Sequence, residues 1–226
     1  MSTPSASRCI LSVATDRYVG LQKRLLQSLA TADWRDAILS WTDALPPGSP
    51  THAEVPYAFK LFAIREALRR GHTSLLWLDS PCRVAQSLDS IFERIESEGH
   101  LFVGGDDRLG NWANDECLAA FGFSRNEAMG LKLMNGTFIG LDFSHERTRT
   151  WIEEIERSYA RGLFQGFYLS EHAPTAVRAA KPGKPVGFVS ADPRCWGHRH
   201  DEAVGSCIAH RQGMAFTAPD GFFDLG

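Results

Sequence analysis

The sequence has 226 residues, of which 43% are hydrophobic, and a formal net charge of −3 at pH 7. A chain of this size can bury one sizeable core. No cluster of lysine and arginine is present, so nucleic acid is not an expected partner. No apolar stretch approaches the ~20 residues needed to span a bilayer. Five cysteines without a CxxC spacing indicate reduced thiols, and we expect a cytoplasmic protein.

The chain opens with a strand, a short loop and a helix. The apolar run 9–14 predicts the strand, which ends in the polar turn formed by Thr15, Asp16 and Arg17. This loop lacks the glycines of a P-loop or of the dinucleotide-binding fingerprint, so neither motif binds a ligand here. A second strand is predicted over 37–41.

The segment 57–70 has the clearest helical pattern in the chain, and Gly71 follows it as a stop signal. Lys60 falls in the middle of the apolar face of this helix. Burial of an ammonium group is costly unless the group reaches solvent or meets an anion. Two interpretations stay open: Lys60 extends to solvent, or it pairs with a phosphate or carboxylate near the edge of the sheet.

Four apolar residues at 75–78 predict a strand that is buried on both faces, as in the middle of a parallel sheet. The strand leads directly into Asp79, and Pro81 ends it because proline has no N–H for the sheet ladder. A carboxylate is therefore expected at the carboxyl end of a central strand. Open α/β sheets bind their ligands at that position.

Further elements follow in the same alternation. The patterns predict helices over 88–95, within 112–121, from a capping box at Ser124, over 151–159 and over 202–211. They predict strands over 101–103, 137–141 and 186–189, with a turn at Asn135 and Gly136. An irregular excursion is predicted over 164–185. This alternation predicts an α/β fold with a mostly parallel sheet. No internal repeat is present, which predicts a single domain over residues 1–226.

Three stretches taken in order resemble a known family. The first combines residues 59–64 with 76–80, the second is 135–142 and the third is 197–203. Residues 111–118 add to the likeness. Together they resemble small GT-A-fold glycosyltransferases, in particular a group that includes capsid-glycosylating enzymes of large algal viruses. The resemblance spans residues 8 to 214. It implies a GT-A-like mixed, mostly parallel sheet flanked by helices.

The resemblance also implies a reaction. We expect transfer of a sugar from a nucleoside-diphosphate sugar, UDP-linked in the first instance, to a hydroxyl of a glycan or glycoprotein acceptor. The family uses an Asp-x-Asp motif that holds Mn²⁺ or Mg²⁺ against the diphosphate, where the ion acts as a Lewis acid. Asp79 matches the first aspartate of the motif, but Pro81 stands in place of the second.

This likeness assigns roles to particular residues. The expected metal ligands are Asp79, His198 and His200. The expected donor-binding residues are Thr15, Asp16, Arg17, Lys60, Asp79, Ser80, Asn135 and Gly136. Asp201 is the expected general base of an inverting reaction, with Asp106, Asp107, Asp115 and Glu116 as rivals. A retaining reaction needs no such base and stays open.

Two other functions are alternatives to the transferase. Pro81 in the motif favours a catalytically silent GT-A-like module that binds a nucleotide or sugar. A nucleotidyltransferase is disfavoured because a glycine-rich N-terminal loop is missing. The spacing Cys195-x-x-His198-x-His200 supplies only three zinc ligands and matches no common finger.

Overall fold

The computed structural model describes residues 7–217 and 223–224. The helices are α1 (Val19–Thr31), α2 (Phe59–Arg69), α3 (Asp89–Glu98), α4 (Leu109–Trp112), α5 (Asp115–Ala120), α6 (Arg125–Gly130), α7 (Glu146–Ala160), α8 (Thr175–Ala179) and α9 (His200–Arg211). The strands are β1 (Arg8–Ala14), β2 (Ala37–Thr42), β3 (Ser74–Leu78), β4 (Arg83–Val84), β5 (His100–Arg108), β6 (Lys132–Asp142), β7 (Leu169–Ser170), β8 (Val186–Gly187), β9 (Phe216–Thr217) and β10 (Phe223–Asp224).

The main sheet has six strands in the order β2-β1-β3-β6-β5-β9. Strand β6 is antiparallel to both of its neighbours, and the other pairs are parallel. Five strands therefore point one way and one points back. The expected fold class, a mixed and mostly parallel sheet flanked by helices, is confirmed. Two small sheets, β4 with β10 and β7 with β8, lie outside it.

Strand β3 is buried along its whole length because helices cover both faces of the sheet. Leu75 and Trp77 belong to a core cluster that also contains apolar residues of α2, α7 and α9. Leu76 and Leu78 belong to a second cluster with residues of α1 and α3. Successive side chains of a strand point to opposite faces, so the four apolar residues in a row serve both layers.

Two expected elements differ from the structure, and one strand was not expected. Asn135 and Gly136 are not a turn: they lie inside β6, and Gly136 is needed there for close packing. A Cβ at Gly136 would lie 2.8 Å from the ammonium of Lys60. The expected last strand over 186–189 has only two strand residues and belongs to a small separate sheet. The edge strand β9 was missed because two residues carry no periodic signal.

The topology brings several chain segments to one edge of the sheet. The parallel strands β1 and β3 end there, at Ala14 and Leu78. Because β6 runs the other way, its early residues lie at the same edge, where the Asp79 N–H donates to the carbonyl of Thr137 at 3.0 Å. The helices in the described ranges include none long and apolar enough to span a membrane. All five cysteines are buried and unbridged.

Candidate active site

Asp79 lies at the carboxyl end of β3 and faces outward from the core, with 31% of its side chain exposed. The indole N–H of Trp77 donates to Asp79 Oδ1 at 2.7 Å. Two residues apart on a strand, these side chains share a face of the sheet. The tryptophan therefore fixes the orientation of the carboxylate, as the expected strand-end site requires.

Lys60 is buried, with 5% of its side chain exposed, and it meets carboxylates at the sheet edge. Its ammonium lies 2.8 Å from Asp201 Oδ2 and 3.8 Å from Asp79 Oδ1. It also donates a hydrogen bond to the carbonyl of Gly136 at 2.7 Å. Of the two sequence interpretations, the carboxylate partner near the sheet edge is the one that the structure contains.

Residues before and within the first turn of α9 complete the arrangement. Glu202 Oε1 accepts a hydrogen bond from the Gly136 N–H at 3.1 Å, and Glu202 Oε2 lies 2.8 Å from a guanidinium nitrogen of Arg199. Asp201 is within the first turn of α9, which begins at His200. Asp79, Asp201 and Glu202, here called the acidic centre, are thus tied together by Lys60, Gly136 and Arg199.

Charge within this network shifts the protonation equilibria. Burial alone would lower the pKa of Lys60, but the surrounding carboxylates of the acidic centre raise it above its ordinary value. Burial raises the pKa of Asp201 and of Glu202, with the charges of Lys60 and Arg199 opposing that change. The carboxylates around Lys60 therefore favour the charged form of its ammonium.

Two strained residues lie at or just before the starts of the helices that carry this network. Tyr57 has φ 60° and His200 has φ 45°, a region that non-glycine residues rarely adopt. Their rings stack with centroids 5.6 Å apart. The Nδ1–H of His200 donates to the carbonyl of Phe164 at 2.9 Å. Backbone strain of this kind clusters at functional sites, and here it lies beside the first turns that carry Lys60 and Asp201.

His198 is fully buried, and both of its ring nitrogens are engaged by the main chain. The Asn114 N–H donates to Nδ1 at 3.3 Å, and Nε2–H donates to the carbonyl of Leu163 at 3.0 Å. Burial lowers its pKa to about 4, and burial next to His198 lowers the pKa of His200 to about 3. Both imidazoles are therefore neutral at pH 7. His198 acts here as a structural cross-link between two loops.

The residues at the site do not fit the expected divalent metal. Pro81 supplies no ligand where the family motif has its second aspartate. Neither nitrogen of His198 is free, and Nδ1 of His200 is already bonded. Within residues 7–217 and 223–224 there is no group of three or more His, Cys, Asp or Glu residues arranged to hold a metal ion. The metal assignment to Asp79, His198 and His200 stays a prediction from the resemblance.

Positive charge gathers beside the acidic centre. The guanidinium of Arg199 lies over the rings of Trp112 and Tyr168, at 5.2 and 5.1 Å from their centroids. The ammonium of Lys184 lies 4.5 Å from the centroid of Tyr168. Burial, followed by the charges of Arg199 and Arg17, lowers the pKa of Lys184. Arg17, Lys184 and Arg199 are here called the basic cluster, and an anion among them would relieve their mutual repulsion.

The loop after β1 reaches this edge as expected. Thr15 precedes a short 3-10 turn, and its carbonyl accepts a hydrogen bond from the Tyr18 N–H at 3.0 Å. Asp16 has φ 52° and its N–H donates to Asp43 Oδ1 at 3.2 Å. Arg17 is exposed and stacks on Tyr18, with the guanidinium carbon 5.0 Å from the ring centroid. The loop is therefore ordered by its own contacts while Arg17 faces solvent.

Two other expected donor-binding residues lie close by. Ser80 is buried directly after Asp79. Asn135 is half-buried in β6, and its Oδ1 accepts a hydrogen bond from the Thr137 N–H at 2.9 Å. Among the rivals for the general base, Asp107 is exposed and accepts a hydrogen bond from the indole N–H of Trp112 at 2.9 Å.

Sequence reasoning missed Lys184, Arg199 and Glu202 as site residues. Arg199 and Glu202 are three positions apart at a helix start, a spacing at which opposite charges pair, and that signal was available. Lys184 lies in irregular chain between Pro182 and Pro185, with no pattern to mark it. Only the tertiary structure brings its ammonium to the ring of Tyr168, over which Arg199 also lies.

No family model matches the chain, and no curated protein matches it. Among solved structures it is similar to the bifunctional glycosyltransferase WbbM in its apo form (10% identity, TM-score 0.45, covering 69% of this chain but 34% of that one). It is similar to a glycosyltransferase involved in glycosylation of the major capsid of PBCV-1 (15% identity, TM-score 0.38, covering 82% of each chain). It is also similar to the galactosyltransferase LgtC in complex with donor and acceptor sugar analogues (14% identity, TM-score 0.36, covering 94% of this chain and 98% of that one).

The capsid-glycosylating enzyme falls in the group that the sequence resemblance names. The chain spans about a third of WbbM and most of the other two structures. All three TM-scores are below 0.5, so these likenesses support no functional conclusion for this chain.

Proposed function

We propose that this protein is a glycosyltransferase that moves a sugar from a nucleoside-diphosphate sugar to a hydroxyl acceptor. One observation carries the proposal: an acidic centre and a basic cluster adjoin each other at the carboxyl edge of the parallel strands, joined by the Arg199–Glu202 ion pair. A nucleotide sugar has the complementary chemistry, with a diphosphate that cations bind and sugar hydroxyls that carboxylates bind.

The basic cluster meets the main electrostatic demand of the reaction. As the bond to the sugar breaks, negative charge gathers on the departing diphosphate, and fixed positive charge aimed at it lowers the barrier. Arg199 is held between two aromatic rings and needs no reorganisation to act. Lys184, whose ammonium lies 4.5 Å from the centroid of Tyr168, and the exposed Arg17 supply further positive charge.

The acceptor hydroxyl needs a carboxylate to take its proton in an inverting reaction. Asp201, the residue expected from the resemblance, is paired with Lys60 at 2.8 Å and mostly buried. Asp107 is exposed, and Trp112 orients it beside the basic cluster. Asp107 is therefore the stronger of the two candidates for direct proton transfer, and Asp201 is better suited to holding Lys60.

A donor-hydrolysis screen tests the proposal. The full chain is incubated with a panel of nucleoside-diphosphate sugars, with UDP-sugars first, and release of the nucleoside diphosphate is measured. Replacement of the reacting carboxylate, Asp107→Asn or Asp201→Asn, is expected to reduce transfer to an acceptor by about 10²-fold or more. Asp36→Asn, at an exposed position just before β2, is the matched control and leaves the rate unchanged.

The same screen decides between an enzyme and the silent binding module that Pro81 favours. Binding of UDP without hydrolysis or transfer from any donor supports the module. The anomeric configuration of the product decides between inversion and retention. Absence of binding to every nucleoside diphosphate and nucleotide sugar in the panel contradicts both functions.

A further inference from the structure

The position of Lys60 changes what the site needs from a cofactor. Its ammonium is held between Asp201 and Asp79, the two carboxylates that converge at the sheet edge, at 2.8 and 3.8 Å. It is anchored by the carbonyl of Gly136 and has 5% of its side chain exposed. A buried lysine with three fixed oxygen neighbours cannot swing away at small cost, because its charge would then be unpaired.

A divalent cation would have to share this space. Mn²⁺ and Mg²⁺ bind carboxylate oxygens at about 2.1 Å. An ion on Asp79 Oδ1, which is 3.8 Å from the Lys60 ammonium, would therefore lie within about 6 Å of that positive charge. Such an ion would bind a single carboxylate, that of Asp79, whose charge Lys60 already balances. The two late histidines offer little compensation, since three of their four ring nitrogens are bonded to the main chain.

We propose that the ammonium of Lys60 takes the place of a divalent cation as the counter-charge of Asp79 and Asp201, and that the protein binds nucleoside diphosphate without a divalent metal. This inference rests on the proposed function for the identity of the ligand. Lys60 is a positioning residue: it holds the two carboxylates in place, while Arg17, Lys184 and Arg199 balance the charge of the diphosphate.

Calorimetric titration with UDP tests the binding half of the inference. The full chain is titrated in the presence of a chelator and again in excess Mn²⁺. We expect dissociation constants that agree within about threefold, since no bridging ion takes part. Lys184→Ala is expected to weaken binding in both buffers, while Lys23→Ala, an exposed lysine on α1, has no effect. Binding that tightens about tenfold or more with Mn²⁺ overturns the inference.

Titration of the free protein with Mn²⁺, followed by electron paramagnetic resonance, tests the site without any nucleotide. We expect no stoichiometric ion in the wild type. Lys60→Ala removes the ammonium and leaves Asp79 and Asp201 facing each other, so this variant is expected to gain a Mn²⁺ site that Asp79→Asn then abolishes. A stoichiometric Mn²⁺ in the wild type that is lost in Asp79→Asn and kept in Asp36→Asn overturns the inference.

The two arms separate this inference from the proposed function. If neither UDP nor any other nucleoside diphosphate of the panel binds, with or without Mn²⁺, the proposed function is contradicted, and the Mn²⁺ titration still decides whether Lys60 occupies the metal position. If UDP binds only with Mn²⁺, the proposed function stands and the role of Lys60 is refuted. If Lys60→Ala fails to fold, both wild-type titrations remain decisive.

Discussion

Replacement of Lys60 by methionine is the most direct test of the acidic centre. Methionine keeps most of the apolar stem of the lysine and removes only the charged end. Asp201, with 9% of its side chain exposed, would then lose its partner at 2.8 Å and remain as a buried, unpaired carboxylate. The variant therefore removes the charged partner of Asp201 together with the contacts of Lys60 to Asp79 and to the Gly136 carbonyl.

The expected cost follows from the burial of the pair. Removal of one partner of a buried ion pair typically costs about 3–5 kcal/mol, because the remaining charge is left without compensation. The loss of the hydrogen bond to the Gly136 carbonyl adds to it. Asp201→Asn in the same chain removes the orphaned charge, so the double variant Lys60→Met with Asp201→Asn is expected to recover at least about 2 kcal/mol.

Urea unfolding at pH 7, read by tryptophan fluorescence, measures all four proteins of this double-mutant cycle. The sign of the pH dependence is also fixed. Without Lys60 the folded-state pKa of Asp201 rises further above its unfolded value, so the folded state binds more protons and the penalty shrinks as the pH falls from 7 towards 5. The buried ion pair is refuted if Lys60→Met lowers the free energy of unfolding by less than about 1 kcal/mol. It is also refuted if the double variant is no more stable than Lys60→Met.

Two further predictions concern neighbouring residues. Gly136→Ala places a methyl group 2.8 Å from the Lys60 ammonium, so we expect the free energy of unfolding to fall by about 1–3 kcal/mol. In the control Gly130→Ala the new methyl group meets nothing within 4 Å, and the free energy of unfolding is expected to change by no more than about 0.5 kcal/mol. Urea unfolding measures both variants. For His198 the folded pKa is about 4 against an ordinary 6.5, so the unfolded state binds more protons between those values and stability is lost as the pH falls. From pH 7 to pH 5 this histidine removes about 2 kcal/mol of unfolding free energy, and His198→Gln should flatten that slope; an unchanged slope contradicts the buried neutral imidazole.

Several features of the site were available from local sequence. The strand before Asp79 was predictable because four apolar residues in a row, between two helical patterns, are typical of a strand buried on both faces. The anomaly of Lys60 was visible from the helical pattern, since a charged residue on an apolar helical face must have a partner or an exit to solvent. The helical pattern therefore left two interpretations of Lys60 open, exposure to solvent or pairing with an anion. It did not say which of the two the fold contains.

Other features depended on segments that are far apart in the chain. Whether β6 runs parallel or antiparallel to β3 leaves no trace in its residue pattern, and Asn135–Gly136 therefore looked like a turn. The antiparallel direction brings Gly136 against Lys60, 76 residues away. Lys184 is beside Arg199 only because both side chains lie over the ring of Tyr168 in the folded chain.

The sequence by itself determined the α/β class, the buried central strand and the carboxylate at its end, because hydrophobic periodicity and proline act over a few neighbouring residues. Tertiary structure alone decided that Lys60 pairs with Asp79 and Asp201, that His198 is a structural cross-link, and that Lys184 and Arg199 both lie over the ring of Tyr168. Charges interact through space, and the distances between them are set by the direction and order of strands that no local pattern records.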